Sequence, residues 1–206
     1  MKIGIIGAGG IGRLYAKRWT DAGHEVVVSS RNPDKLSDFT AETGIRATTA
    51  AEAAAFGEAI LLAVNYSTLD EALRRIAPHV SGKLLIDATN PLEFVDGAVT
   101  RTTPEEELAG VAMAARLPQA RVGKAFTSLW AGHVETSGTG GNPPLAMMLS
   151  ADDEADRKTL SALVRDAGLD PVDLGPLRAS RPLDPPSAVW NKPMSASELR
   201  AQLHAA

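Results

Sequence analysis

The chain opens Met1-Lys-Ile-Gly-Ile-Ile-Gly-Ala-Gly-Gly-Ile-Gly12. Ile3, Ile5 and Ile6 form a β run that enters a glycine turn directly. A helical pattern carrying Leu14, Tyr15, Arg18 and Trp19 follows and stops at Gly23. Strand, glycine turn and helix in that order are the setting in which G-x-G-x-x-G binds a dinucleotide. Gly7 permits the tight turn, Gly9 lets the backbone approach a pyrophosphate, and Gly12 lets the helix pack closely on the strand. Ala8, Gly10 and Ile11 complete the loop, and the helix start offers its unpaired N–H groups to phosphate oxygens. The bland alternative is a glycine-rich turn that only packs.

The next strand, His24-Glu-Val-Val-Val28, leads into Ser29-Ser-Arg-Asn-Pro33. A site for NAD places an acid at the end of this strand to hold the ribose 2′-OH. No acid stands there. Ser30 can donate a hydrogen bond, and Arg31 supplies a planar cation suited to a 2′-phosphate. Lys35, one turn on, adds charge. The reading is NADP(H) over NAD(H), against the alternative that Arg31 and Lys35 are merely a solvated face. Asn32 is read as an N-cap with Pro33 at the first helical position.

Beyond these turns, strand and helix patterns alternate through 206 residues. That predicts an α/β fold, a Rossmann-type doubly wound parallel sheet with a small C-terminal α/β lobe. Helices are expected over 33–43, 50–56, from a Thr68–Glu71 capping box, from Thr103-Pro104, over 152–167 and over 195–206. Strands are expected over 59–64, 83–87, 120–126, 145–150 and 171–174. The loop at 136–144 is the lobe boundary, dividing a dinucleotide-binding domain, 1–140, from a lobe, 141–206, that closes the cleft.

Composition narrows the partners. The formal net charge is −4 and there is no cysteine. The first excludes an electrostatic case for nucleic acid or an anionic membrane, and the second excludes disulfides and thiolate chemistry. No apolar run approaches membrane-spanning length. The first strand starts at residue 2, which leaves no signal peptide in the reading. The expectation is a cytoplasmic protein with a small-molecule partner and no nucleic acid or membrane. His24, His79, His133 and His204 are scattered without metal-ligand spacing, so no metal is expected.

Ligands of such sheets bind outside the carboxyl ends of the strands. The candidates there, besides the glycine turn, are Val64, Asn65, Asn90 and Ala125. Asn65 and Asn90 suit a ribose or a carboxamide, with an Asx-turn or helix cap as the alternative. Lys124 is either a general acid or a snorkelling or ion-paired lysine. Asp87 reads as a structural carboxylate. Phe126, Trp130 and Trp190 either stack on a flat acceptor or sit in the core. Ser128 lacks a G-x-S-x-G elbow, and there is no P-loop. No acid–base pair stands out, which favours hydride transfer between stacked rings over carbonyl or imine reduction.

With these residues in place, the chain resembles the NADPH-dependent F420 reductase family (F420:NADP oxidoreductases), itself similar to the nucleotide-binding domain of STEAP metalloreductases. The resemblance rests on Gly7-Ala-Gly-Gly-Ile-Gly12, Gly23-His-Glu-Val-Val-Val28, Ser30-Arg31 with Lys35, and Gly168-Leu-Asp-Pro-Val-Asp-Leu-Gly-Pro-Leu-Arg-Ala-Ser-Arg181. It implies that Ala8–Ile11, Ser30, Arg31 and Lys35 bind NADPH. It further implies coenzyme F420 or a flavin-like ring as co-substrate hydride acceptor, a C-terminal lobe over the nicotinamide, and a homodimer. The alternatives are an NADPH-binding redox sensor without turnover, or a small carbonyl or imine reductase.

Overall fold

A computed structural model describes residues 1–95, 98–136 and 143–205. Its strands are β1 (Lys2–Ile6), β2 (Glu25–Ser29), β3 (Arg46–Thr48), β4 (Ala59–Leu62), β5 (Leu84–Asp87), β6 (Leu92–Val95), β7 (Ala98–Arg101), β8 (Arg121–Ala125), β9 (Ala146–Ala151) and β10 (Asp170–Asp173). Eight of them form one sheet in the order β10-β9-β8-β5-β4-β1-β2-β3, while β6 and β7 pair as a separate antiparallel hairpin. The sheet is parallel throughout except where β9 runs antiparallel to β8. From β1 the chain winds outward to β3, then returns to β4 on the other side. That reversal between β1 and β4 is the switch point at which such sheets bind ligands.

The helices are α1 (Gly10–Asp21), α2 (Ser37–Thr43), α3 (Ala50–Phe56), α4 (Leu69–Ile76), α5 (Ala109–Arg116), α6 (Ala131–Thr136), α7 (Glu154–Asp166) and α8 (Ala196–Ala205). Alternate side chains of β1 go to opposite faces, as the two-residue period of a strand requires. Ile3 and Ile5 meet Tyr15, Trp19, Phe126 and Leu163, whereas Ile6 packs with Ala53, Leu69, Leu73 and Met113. A third core joins Met148 and Val172 to Leu183, Val189 and Leu199. Strand β9 is therefore buried along its whole length.

Polar side chains lock α1 to the far half of the chain. Arg18, buried in α1, donates to the Ala167 and Val134 carbonyls at 2.5 and 2.6 Å, and Trp19 Nε1 donates to Leu163 O at 2.9 Å. These carbonyls belong to the last turns and ends of α7 and α6, so side chains of α1 bind the C-terminal ends of both helices.

Several expectations change. The capping box is not at Thr68, whose Oγ1 donates to Asn65 O while α4 starts at Leu69 without a side-chain cap. It is at Thr49–Glu52, where both reciprocal bonds form at the start of α3. The helix expected from Thr103 begins only at Ala109. Arginines bind the intervening carbonyls: Arg101 takes Thr103 O and Glu107 O, and Arg181 takes Glu105 O and Glu106 O. Neither the short strand β3 nor the β6–β7 hairpin was expected. The lobe boundary at 140/141 lies in 137–142, outside the described residues. On its far side, β9 and β10 continue the main sheet.

Gly4 explains how α3 reaches β1. A Cβ there would stand 2.0 Å from the Ala53 carbonyl oxygen. Gly4→Ala must push α3 away, and the expected cost is about 3 kcal/mol, at the upper end of overpacking. Urea unfolding checks this; a Gly4→Ala protein as stable as the parent would refute so close a contact.

Candidate functional site

The glycine turn sits at the switch point, and each glycine has a distinct surrounding. Gly7 has a φ of +105°, and a Cβ on it would stand 2.3 Å from Ala63 O. A Cβ on Gly12 would stand 1.9 Å from Gly7 O, so α1 rests on the turn itself. A Cβ on Gly9 would meet nothing within 4 Å. Gly7 and Gly12 thus serve the fold, and Gly9 leaves open space where a ligand's phosphates would approach. The first turn of α1 has no acid, so its exposed N–H groups face no competing carboxylate.

Two grooves meet at this turn. The first, about 370 Å³, is lined by Gly7, Ala8, Gly9, Ser30, Arg31, Lys35, Val64 and Asn65, with Arg13, Thr49, Glu71 and Arg75 among the remainder. The second, about 630 Å³, is lined by Gly9, Gly10, Ile11, Val64, Asn65, Tyr66, Ala88, Asn90 and Glu93, among others. Gly9, Ala63, Val64 and Asn65 line both. The loops after β1, β2 and β4 build the first groove, and those after β1, β4 and β5 build the second.

Charge differs between the two. The first groove carries Arg13, Arg31, Lys35 and Arg75 against Glu71 alone, and Glu71 is paired with Arg75 at 2.8 Å. Arg31 and Lys35 are exposed and make no ion pair among the described residues. Ser30 Oγ accepts from Asn32 N at 3.2 Å, which leaves its hydroxyl proton available. Asn32 precedes Pro33 but makes no side-chain cap. Arg13 is preorganised: its Nε donates to Ala8 O at 2.9 Å and its guanidinium lies 5.3 Å from the Phe39 ring centre. Arg13, Thr49 and Arg75 were missed in the sequence. Only Arg13, next to Gly12, carried a signal there.

Among the predicted residues, Gly12 lies beneath the turn, and Ala125 is fully buried in the core and lines neither groove. Asn65 is no side-chain cap; its backbone carbonyl accepts from Thr68 instead. Asn90 Nδ2 donates to Thr127 O at 3.0 Å, and its buried Oδ1 has no partner among the described residues. Phe126 belongs to the core, its ring 4.4 Å from Tyr15 and 5.4 Å from Trp19. Trp190 is pinned through Nε1 to Thr127 O at 3.0 Å. Trp130 is 51% exposed, and its neighbour Ala131 stands beside Gly10 at the rim of the second groove.

Lys124 resolves as an ion-paired lysine. It has no exposed surface, and its Nζ donates to Asp87 Oδ2 at 3.1 Å and Thr89 O at 3.0 Å. Asp184 Oδ1 lies 3.9 Å away. A side chain without access to the groove cannot serve as a general acid there. Among the described residues no three metal-ligating side chains gather, and no helix is long and apolar enough to cross a membrane.

Fold and grooves together define a Rossmann-type α/β protein whose two grooves meet at the sheet's switch point, the place where such sheets bind ligands. Residues 2–91 match the family described as NADP oxidoreductase, coenzyme F420-dependent. The chain is similar to metalloreductase STEAP3 of Rattus norvegicus, 30% identical over 186 residues, which are 89% of this chain and 36% of that protein. It is similar to the F420-dependent NADP reductase of Methanothermobacter thermautotrophicus, 30% identical over 143 residues, 63% of this chain and 62% of that one. A solved structure of a candidate F420-dependent NADP-reductase from Arthrobacter sp. FB24 superposes with a TM-score of 0.78 at 27% identity, covering 88% of this chain and 87% of its own. The chain thus spans less than two thirds of either curated relative.

Burial raises the pKa of Asp184 above the ordinary carboxylate value, and Lys124 opposes that only in part. The folded protein therefore binds this proton more tightly than the unfolded chain does. The stability this contributes is complete below the ordinary carboxylate pKa and is lost as pH rises through the raised value. Asp184→Asn removes the titration while keeping an acceptor for Ala109 N. Unfolding free energies measured across pH should show the parent losing ground to Asp184→Asn as pH rises. A difference that stays constant with pH would refute it.

Proposed function

We propose that the protein is an NADP(H)-dependent oxidoreductase that passes a hydride between NADPH and a deazaflavin of the F420 type, or a flavin-like ring. The observation that carries the NADP(H) reading is the first groove: free cations at Arg31 and Lys35 with no acid at the end of β2. Ser30, Arg31 and Lys35 would hold the 2′-phosphate, and the Gly9–Ile11 start of α1 the pyrophosphate. Val64, Asn65 and Asn90 would face the nicotinamide end in the second groove. NADPH supplies the hydride when bound. The family match of residues 2–91, which includes both cation positions, supports the acceptor class.

The chain's own residues then orient and exclude water. Direct transfer between stacked rings needs closeness and alignment more than a proton donor. Trp130, exposed and next in the chain to Ala131, which stands beside Gly10, would cover an acceptor. The segment 143–205 supports the reading of a closing lobe, since Trp190 ties it to the strand end beside Asn90. A homodimer in the cytoplasm belongs to the same proposal, by resemblance to the family.

One observation favours the rival carbonyl or imine reductase. Tyr66 lines the second groove, and its hydroxyl makes no hydrogen bond among the described residues. Burial raises its pKa, so it is a protonated donor at neutral pH. Direct hydride transfer predicts that Tyr66→Phe keeps its turnover, whereas the rival predicts a collapse in kcat.

Arg31→Ala should raise the NADP⁺ dissociation constant by about tenfold or more, for a loss of about 1.5–3 kcal/mol of charge-assisted bonding, with little change for NAD⁺. Calorimetric titration decides it, and equal losses for both nucleotides would sink the assignment. The acceptor is tested by NADPH oxidation at saturating F420, with FMN as control. Saturable transfer to F420 supports the reading. Tight NADPH binding without transfer to any acceptor would turn the protein into a sensor.

A further inference from the structure

The carboxyl ends of β5 and β8 hide a charge hub that no step above uses. Lys124 and Asp184 have no exposed side-chain surface, and Asp87 has 1%. Asp87 accepts from Lys124 through Oδ2, and through Oδ1 from Thr89 N at 2.9 Å and Thr89 Oγ1 at 2.7 Å. Lys124 also donates to the Thr89 carbonyl at 3.0 Å. Asp184 Oδ2 accepts from Ala109 N, the first residue of α5, at 3.0 Å. A Cβ on Gly110 would stand 3.2 Å from Lys124 Cδ, so the lysine stem lies against α5. One cation thus joins the end of β5, the turn after it, α5 and the segment around Asp184.

Packing does not account for such a group. A buried ion pair is often no more stabilising than apolar side chains of the same volume, and its best-attested use is to fix register. The element fixed here is the turn 87–90, whose Ala88 and Asn90 line the second groove. Asn90 is also held from the opposite side, at the Thr127 carbonyl that Trp190 shares. The wall of that groove is therefore clamped twice, once by charge and once by hydrogen bonds.

We propose that Lys124 is a positioning residue for hydride transfer. Without touching either reactant, it fixes Ala88 and Asn90 as the wall against which the nicotinamide end lies. The inference rests on the cofactor reading above and adds a residue to it.

The test compares 2′,5′-ADP, which fills only the first groove, with NADPH, which fills both. Lys124→Met/Asp87→Asn removes the charge pair together. Asp87→Asn alone is the gentler variant, since Lys124 keeps Asp184 as its counter-charge. In both, 2′,5′-ADP affinity should stay within about twofold of the parent, because no residue of the first groove is altered. The advantage of NADPH over 2′,5′-ADP should fall by about fivefold or more, the scale of one lost polar contact. Single-turnover NADPH oxidation should fall further than KM rises, and amide exchange at 88–90 should quicken. Folded variants with parental exchange and an unchanged NADPH advantage overturn the proposal, and Asp87→Asn decides it alone if the double variant does not fold. A parent protein that binds no 2′,5′-ADP overturns the cofactor reading before any substitution is made.

Discussion

The molecule depends on the contact of one helix with one turn. A Cβ on Gly12 would lie 1.9 Å from the Gly7 carbonyl, so only a bare backbone brings α1 down onto β1 at the sheet's switch point. That approach aims the unpaired N–H groups of α1 across the strand ends, where a pyrophosphate would lie. It also delivers Arg13 to the Ala8 carbonyl and carries Arg18 and Trp19 to the carbonyls at the ends of α6 and α7. The phosphate end of the site and the anchoring of the C-terminal half therefore follow from the same close packing.

The two grooves divide the work by charge. The first gathers cations around one paired acid and suits a doubly phosphorylated adenosine. The second has no lysine, arginine or histidine among its described lining, only Glu93 and Tyr66 as titratable groups. A neutral ring is at ease there. Lys124, bonded to the turn that carries Ala88 and Asn90, is withheld in the interior and spends its charge on Asp87. On the reading proposed above, recognition lies at one end of the site and alignment at the other.

Errors in the sequence reading share a cause. Thr68 and Thr103 both had the spacing of helix N-caps, but whether a helix starts there depends on what else the backbone groups of the next turns bind. Around Thr103 the carbonyls are taken by Arg101 and Arg181, which arrive from a hairpin and from the C-terminal segment. Phe126 and Trp190 stood open in the sequence between stacking and the core, because aromatic side chains serve cores and ligands alike. Only the fold shows one closing on Tyr15 and Trp19 and the other bonded to Thr127.

The sequence by itself determined the parts whose physics is local. The glycine turn, the missing acid after β2, the cations at Arg31 and Lys35, and each strand or helix of the alternation are every one set by residues close together in the chain. Backbone sterics and charge act over that range. Tertiary structure decided what depends on distant partners. It set β9 antiparallel beside β8, placed Arg75 and Thr49 on the same groove as Ser30, and buried Lys124 between Asp87 and Asp184. A lysine's pattern in sequence is the same whether it meets water or two carboxylates. The difference is made by elements that the sheet brings together from opposite ends of the chain.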